Sequence, residues 1–233
     1  MRKAFKILGV SGSPRKANTD ILLNEALQSA ETQSEIKTER IYLREKKINY
    51  CIGCFKCTDK NDNNYGCQVF RDSMDEIYNA LKECHGLILA TPVYFGSATG
   101  QMKTFMDRTE PLLRYAQGPW KLTMRNKVGG AIVVGGNRNG GQEATLNAIH
   151  HFFFIHDMVV VGTGPDKQPG CYLGAAAFSG QDANKGSKIK DAVTNDEIGL
   201  KAAQILGKRV AEMVRLICRS ETKFINKKQA ARK

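Results

Sequence analysis

The chain has no run of eighteen apolar residues, which excludes a conventional membrane-spanning helix. Its opening Met1-Arg2-Lys3 carries the charge of a secretory leader. The apolar segment that follows ends within a few residues at Ser11-Gly12-Ser13-Pro14, so it reads as a strand and the protein is expected in the cytoplasm. Both the three-glycine GxGxxG pattern and a Gly-Lys-Ser/Thr ending are missing, which disfavours dinucleotide and triphosphate sites of those kinds. Acidic residues are short as well: 23 Asp and Glu stand against 35 Lys and Arg, a net +12. Residues 218–233 hold Arg219, Lys223, Lys227, Lys228, Arg232 and Lys233 against Glu221 alone, so +5 of that charge lies in the tail. The rest is spread along the chain without a recognisable nucleic-acid motif. This favours a solvated tail and a general attraction for acidic partners over specific nucleic-acid binding. Histidine is scarce, and His150, His151 and His156 follow one helical pattern, so they read as part of that helix rather than as a metal site.

At 233 residues the chain can bury one substantial core, and one α/β domain over 1–217 followed by a basic tail over 218–233 is expected. Residues 4–10 read as a short buried strand, and Ile21, Leu22, Ala26, Leu27 and Ala30 then take a helical period. Between them lies Ser11-Gly12-Ser13-Pro14-Arg15-Lys16-Ala17-Asn18-Thr19. Hydroxyls, a cation and a helix N-terminus together make a phosphate cradle, with Asn18 or Thr19 as the expected cap. Residues 36–43 alternate as a second strand with a mixed pattern that suits a sheet edge. After an insertion at about 44–72, Met74, Ile77, Tyr78 and Leu81 form a helix capped by Asp72 or Ser73.

Gly86 to Ala90 is a buried strand of the parallel-sheet kind, ending in the apolar, aromatic loop 91–100. That loop points to a flat organic ligand, and the helix after it is expected to carry Met102, Phe105, Met106, Thr109 and Leu113. Lys127 to Val134 form a fourth strand leading into the glycine-rich loop 135–142, a helix follows through Leu146, Ile149, Phe152 and Phe153, and Met158 to Val161 form a fifth strand. Residues 162–196 read as a long loop before a final amphipathic helix from Ile198 to Ile217. Five strands alternating with helices predict a doubly wound parallel sheet, with loops 11–19, 91–100 and 135–142 meeting at the switch point on its carboxyl edge. Together they fit the phosphate and ring of one mononucleotide.

Of seven cysteines, four crowd into Cys51-Ile52-Gly53-Cys54-Phe55-Lys56-Cys57 and, nine residues on, Cys67. An odd total and this clustering suit thiolate ligation in a reducing compartment better than a disulfide scaffold. Such a loop can surround a metal or an iron–sulfur cube. Cys84, Cys171 and Cys218 read as buried small hydrophobes. Because the insertion follows the second strand, the cysteines are expected to emerge on the edge where the ligand loops meet.

Gly-Ser-Pro-Arg with Asn18-Thr19, Thr-Pro-Val-Tyr-Phe-Gly-Ser with Gly100-Gln-Met-Lys103 and Asp107-Arg108, and Gly-Gly-Gln-Glu resemble the NADPH-dependent FMN reductase branch of the flavodoxin-like superfamily. With the cysteine insertion, residues 3–217 are most similar to iron–sulfur flavoproteins of anaerobic archaea and bacteria. The resemblance implies FMN held by Ser11, Ser13, Arg15, Asn18 and Thr19 at its phosphate, by Pro92, Val93, Tyr94, Phe95, Gly96 and Ser97 at its ring and ribityl chain, and by Gly135, Gly136 and Asn137 on the remaining side. It also implies a [4Fe–4S] cluster on Cys51, Cys54, Cys57 and Cys67, although cluster-bearing members usually place the fourth cysteine closer than Cys67 stands here. The expected assembly is a homodimer or homotetramer exchanging electrons with a ferredoxin-like donor and a small acceptor. An NAD(P)H-dependent FMN or quinone reductase without a cluster is the alternative, and a zinc-stabilised binding module is a third.

Overall fold

A computed structural model describes residues 4–58, 66–113, 122–165, 171–180 and 191–230, with side chains as far as Ser220. Most of the polar run before Cys67, parts of the 162–196 segment and the side chains of most of the basic tail lie outside the described residues. Strands β1 (Phe5–Ser11), β2 (Ile36–Tyr42), β3 (Gly86–Pro92), β4 (Val128–Gly135), β5 (Val159–Val160) and β6 (Ala175–Phe178) form one parallel sheet. The order β2-β1-β3-β4-β5 places β2 at an edge, as its mixed pattern predicts.

Each central strand divides its side chains between two faces, as the period of two requires. On one face Ile7, Ile88 and Ile132 pack under α1 (Asn18–Glu31) and α5 (Glu197–Ala230). On the other, Leu8, Leu89 and Val133 pack under α2 (Met74–Glu83), α3 (Gly100–Asp107) and α4 (Gln142–Ile155). Among the described residues no helix is long and apolar enough to cross a membrane.

Several elements differ from their sequence reading. The fifth strand is only two residues long, and the segment 162–196 contains β6, which was expected to be loop. β3 pairs with β4 from Val128 to Val134 on one side; on the other, β5 pairs with Val128 and Gly129 and β6 with Ile132 to Gly135. The two short strands therefore share the fifth position of the sheet. The helix expected to reach Leu113 ends at Asp107, and a 3-10 turn over Glu110–Leu112 follows with Pro111 near its start. Proline lacks the N–H that continuation would need. Asn18 and Thr19 lie inside α1, and Ala17 occupies the cap position without a side-chain bond. Cys84 is buried as expected, whereas Cys171 and Cys218 are half-buried. Helix α5 runs on through most of the basic tail, to Ala230.

Candidate functional site

Three loops meet over the carboxyl edge of the sheet, and side chains tie them together. Thr99 caps α3, accepting from the Met102 amide, and donates through Oγ1 to the Gly12 carbonyl at 2.7 Å. Thr91 Oγ1 accepts from the Thr99 amide at 3.2 Å. The first loop is thereby locked to the second. Gly141, in the left-handed region at φ 99°, heads α4 and abuts the second loop: a Cβ there would lie 2.7 Å from the Gly96 Cα.

In the first loop Ser13 Oγ donates to the Arg15 carbonyl and accepts from the Arg15 amide, closing a tight turn. Ser11 Oγ donates to Asp20 at 2.6 Å, and Asn18 Oδ1 accepts from the Val193 amide at 3.0 Å, so both side chains also have structural partners. No acceptor among the described residues hydrogen-bonds the amides of Lys16, Ala17 and Thr19 at the head of α1. Such amides, aligned with the helix dipole, suit an anion. Asp20 in the same turn would repel one, but Arg44 pairs with it at 2.7 Å and the two side chains are only 7% and 15% exposed. Burial pushes the Asp20 carboxyl up against the opposing pull of Ser11 and Arg44.

In the second loop Tyr94 and Ser97 exchange backbone hydrogen bonds across Phe95 and Gly96, whose φ values of 50° and 73° make a tight primed-type turn. Phe95 is fully exposed at the tip, Tyr94 is exposed beside it, and the Val93 amide bonds to the Val134 carbonyl at 2.9 Å. An uncovered aromatic pair beside a phosphate cradle fits a flat ring carrying a phosphate. In the third loop Gln142 Nε2 donates to the Asn137 carbonyl at 2.6 Å and its Oε1 accepts from the Gly140 amide at 2.8 Å. Gly135 ends β4 beneath this brace, Gly136 is half-buried and Asn137 is exposed.

The cysteines gather elsewhere. Cys51, Cys54, Cys57 and Cys67 all line one cavity of about 450 Å³, whose other walls include Met106 and Arg108 near the end of α3 and His151, Phe152 and His156 near the end of α4. The insertion leaves β2 at the ligand edge but bends down the α3–α4 side, which corrects the expected placement of the cysteines. Both helices start at that edge. At 1.5 Å per residue, the cavity's lining runs from about 4 to 12 Å down α3, from Lys103 to Arg108, and from about 9 to 21 Å down α4, from Ala148 to His156, and includes no residue of the three ligand loops.

Main-chain amides already serve two of the sulfurs: Gly53 N–H donates to Cys51 Sγ at 3.5 Å, and Val69 and Phe70 donate to Cys67 Sγ at 3.5 and 3.4 Å. Gly53 and Phe55 take left-handed backbone that turns the loop between the cysteines. Among the described residues no three His, Cys, Asp or Glu side chains stand close enough to share one ion. Zinc would need its sulfurs within about 2.3 Å of one point. Four sulfurs spread around a larger volume suit a polynuclear centre better. Burial, then the charges of Glu110 and the other cysteines, push the Cys57 thiol up to about 11, so four thiolates here require a cationic centre to offset them.

Two buried groups that the sequence reading named without giving them a role here frame this cavity. Arg108, 2% exposed, pairs with Asp72 through Nη1 at 2.8 Å and Nη2 at 3.2 Å, and Nη1 also donates to the Asn49 carbonyl at 2.6 Å. It fastens both ends of the cysteine insertion to the end of α3. Burial alone would raise the Asp72 pKa, but the Arg108 bond and the Asn49 and Met74 amides outweigh it and hold the group at about 2. His156, 1% exposed, contacts Thr109 Oγ1 through Nε2 at 2.8 Å. The Thr109 hydroxyl is already committed as donor to the Met106 carbonyl, so Nε2 carries the hydrogen and Nδ1 is a bare acceptor. Thr99 had a legible cap signal just before Gly100, whereas the Arg108–Asp72 pairing spans 36 residues and leaves no local trace.

A parallel sheet in this order, with three ligand loops over its carboxyl edge, defines a flavodoxin-like protein. The flavodoxin, WrbA-like protein from Agrobacterium tumefaciens shares that fold, with a TM-score of 0.58 at 19% identity over 91% of this chain and 99% of its own. Residues 5–165 match the NADPH-dependent FMN reductase family. Over 214 residues the chain is 44% identical to an iron–sulfur flavoprotein of Methanocaldococcus jannaschii, covering 91% of this chain and 99% of the relative. It is 36% identical over 208 residues to one from Archaeoglobus fulgidus, covering 89% and 96%. The chain belongs to the NADPH-dependent FMN reductase family, whose members are flavin-dependent oxidoreductases. That membership sets aside the zinc-stabilised binding module.

Proposed function

We propose that this chain binds FMN at loops 11–19, 91–100 and 135–142 and a [4Fe–4S] cluster on Cys51, Cys54, Cys57 and Cys67, and passes electrons between a ferredoxin-like donor and a small acceptor such as a quinone or an oxygen species. The observation that carries the reading is the convergence of all four cysteines on one cavity, with main-chain amides aimed at two of the sulfurs. The similarity to iron–sulfur flavoproteins over nearly the whole chain supports it. A cluster-free NAD(P)H-dependent reductase leaves that convergence without a purpose.

Bound FMN supplies two electrons as hydride or one at a time, and the cluster exchanges single electrons. The chain's own residues bind and orient. The amides at the head of α1, with Ser13, Arg15 and Thr19, hold the phosphate, and Arg44 keeps Asp20 from opposing it. Pro92 to Ser97 support the ring, and Gly135 to Asn137 close the other side under the Gln142 brace. No side chain is needed as a general base. Because the cysteine cavity lies along α3 and α4 and shares no lining residue with the flavin loops of its own subunit, a homodimer or homotetramer that sets one subunit's cluster against another's flavin serves transfer best. The net positive charge suits an acidic, ferredoxin-like donor.

Anaerobic purification with iron and acid-labile sulfide analysis tests the reading. About four of each per chain is expected. Neither iron nor sulfide in flavin-loaded protein would leave the cluster-free reductase.

A further inference from the structure

The cysteine cavity has two buried side-chain nitrogens with no hydrogen-bond partner among the described residues, Arg108 Nε and His156 Nδ1. They differ in chemistry. His156 Nδ1 is the bare nitrogen of a ring whose hydrogen faces Thr109, so it has nothing to offer a sulfur. Arg108 Nε always carries a hydrogen. The two Nη atoms are occupied by Asp72 and the Asn49 carbonyl, and the guanidinium sits 5.2 Å from the centroid of the Phe70 ring, next to the amide that already donates to Cys67. The guanidinium is thus fixed on its outer edge by three of its five N–H groups, and Nε is its one nitrogen without any partner among the described residues. An unsatisfied buried N–H is costly, and one retained beside four cysteines indicates an acceptor in the cavity.

We propose that Arg108 is a positioning residue for the cluster: its fork clamps the two ends of the cysteine loop, and its Nε–H donates to a sulfur of the bound centre. This rests on the cluster reading above and adds a specific side-chain determinant of its potential. One-electron reduction adds one negative charge to the cluster and moves no proton. A hydrogen bond to sulfur stabilises the more negative state, so losing the donor makes the cluster harder to reduce. Asp72 largely cancels the guanidinium's net charge, which leaves the directed N–H as the operative element.

The test uses anaerobically purified full-length protein as wild type, R108K and R108M/D72N. The double substitution removes the cation and its counter-ion together and leaves net charge unchanged. Iron, sulfide and FMN per chain and the melting temperature are measured, followed by mediated redox titration read by visible absorption and electron paramagnetic resonance. R108M/D72N is expected to load FMN normally and to need an ambient potential lower by about 59 mV for the same reduced fraction, which is a tenfold loss in its one-electron reduction equilibrium. R108K should fall between it and wild type. If R108M/D72N loses the cluster and R108K keeps it, the R108K potential decides: a lowered potential supports the donor, and an unchanged one overturns it, because the ammonium then serves as a clamp alone. An unchanged potential in a loaded R108M/D72N overturns it. Equal loss of the cluster from both variants overturns it too, because the residue is then a loop clamp alone. Wild type without iron and sulfide would overturn the cluster reading itself, a separate result.

Discussion

Asp20 and Arg44 form a mostly buried ion pair at 2.7 Å directly behind the head of α1, where the phosphate is proposed to bind. Removing one member of such a pair costs about 3–5 kcal/mol because the other is left uncompensated. R44M should therefore lower stability by about 3 kcal/mol at pH 7.5 and weaken FMN binding at least about tenfold, since a bare carboxylate would then face the phosphate. D20N/R44M should recover most of the affinity. Flavin fluorescence titration measures both, and R44M binding FMN as tightly as wild type would show that the pair does not shape the cradle.

Gly141 and Gly96 separate strain from contact in the flavin loops. Both have positive φ, but a Cβ at Gly96 meets open space, whereas one at Gly141 lies 2.7 Å from the Gly96 backbone. G96A should cost only the left-handed penalty of about 1–2 kcal/mol. G141A adds the clash, must push the second and third loops apart, and should weaken FMN binding about tenfold more than G96A does. Equal affinities in the two variants would refute the contact between those loops.

Lys127 stabilises the fold away from both sites. Its ammonium donates to the carbonyls of Leu81, Lys82 and Cys84 at 2.6–2.7 Å, closing the C-terminal end of α2, and burial lowers its pKa. K127M keeps the aliphatic stem but strands those acceptors, so urea denaturation should show a loss of about 2–3 kcal/mol. FMN and iron content at 4 °C should not change. A loss under about 0.5 kcal/mol, typical of an inconsequential surface substitution, would contradict this.

The sheet and its three ligand loops were legible because β1, β3 and β4 are buried on both faces, so continuous apolar runs ending in Gly, Ser and Pro mark strand and loop in one reading. β6 was not legible: Ala175, Ala176 and Ala177 have weak strand preference, and only pairing with β4 makes them a strand. Asn18 looked like a local cap, but its side chain meets Val193 across the chain. The cysteine spacing announced a ligating loop without showing its location, because the loop's direction is set by Arg108 gripping Asn49 and Asp72. Local pattern carried the elements, and long-range polar contacts placed the second site.

His156 provides a pH-dependent signature of the wall between α3 and α4. Burial holds its pKa down at about 4, against about 6.5 in an unfolded chain. As pH falls below 6.5 the unfolded chain takes up a proton that the folded chain refuses until about 4, so the neutral ring's contribution is full above 6.5 and is lost across that window. Between pH 7 and pH 5 the loss amounts to about 2 kcal/mol. H156Q retains an amide N–H for Thr109 but does not titrate, so every other ionisable group cancels in the comparison. The stability of wild type relative to H156Q, from urea unfolding under anaerobic conditions, should decline by about that amount from pH 7 to pH 5. A difference that stays constant with pH would mean that His156 takes up a proton in the folded protein as readily as in the unfolded chain, and burial would then not hold the ring neutral.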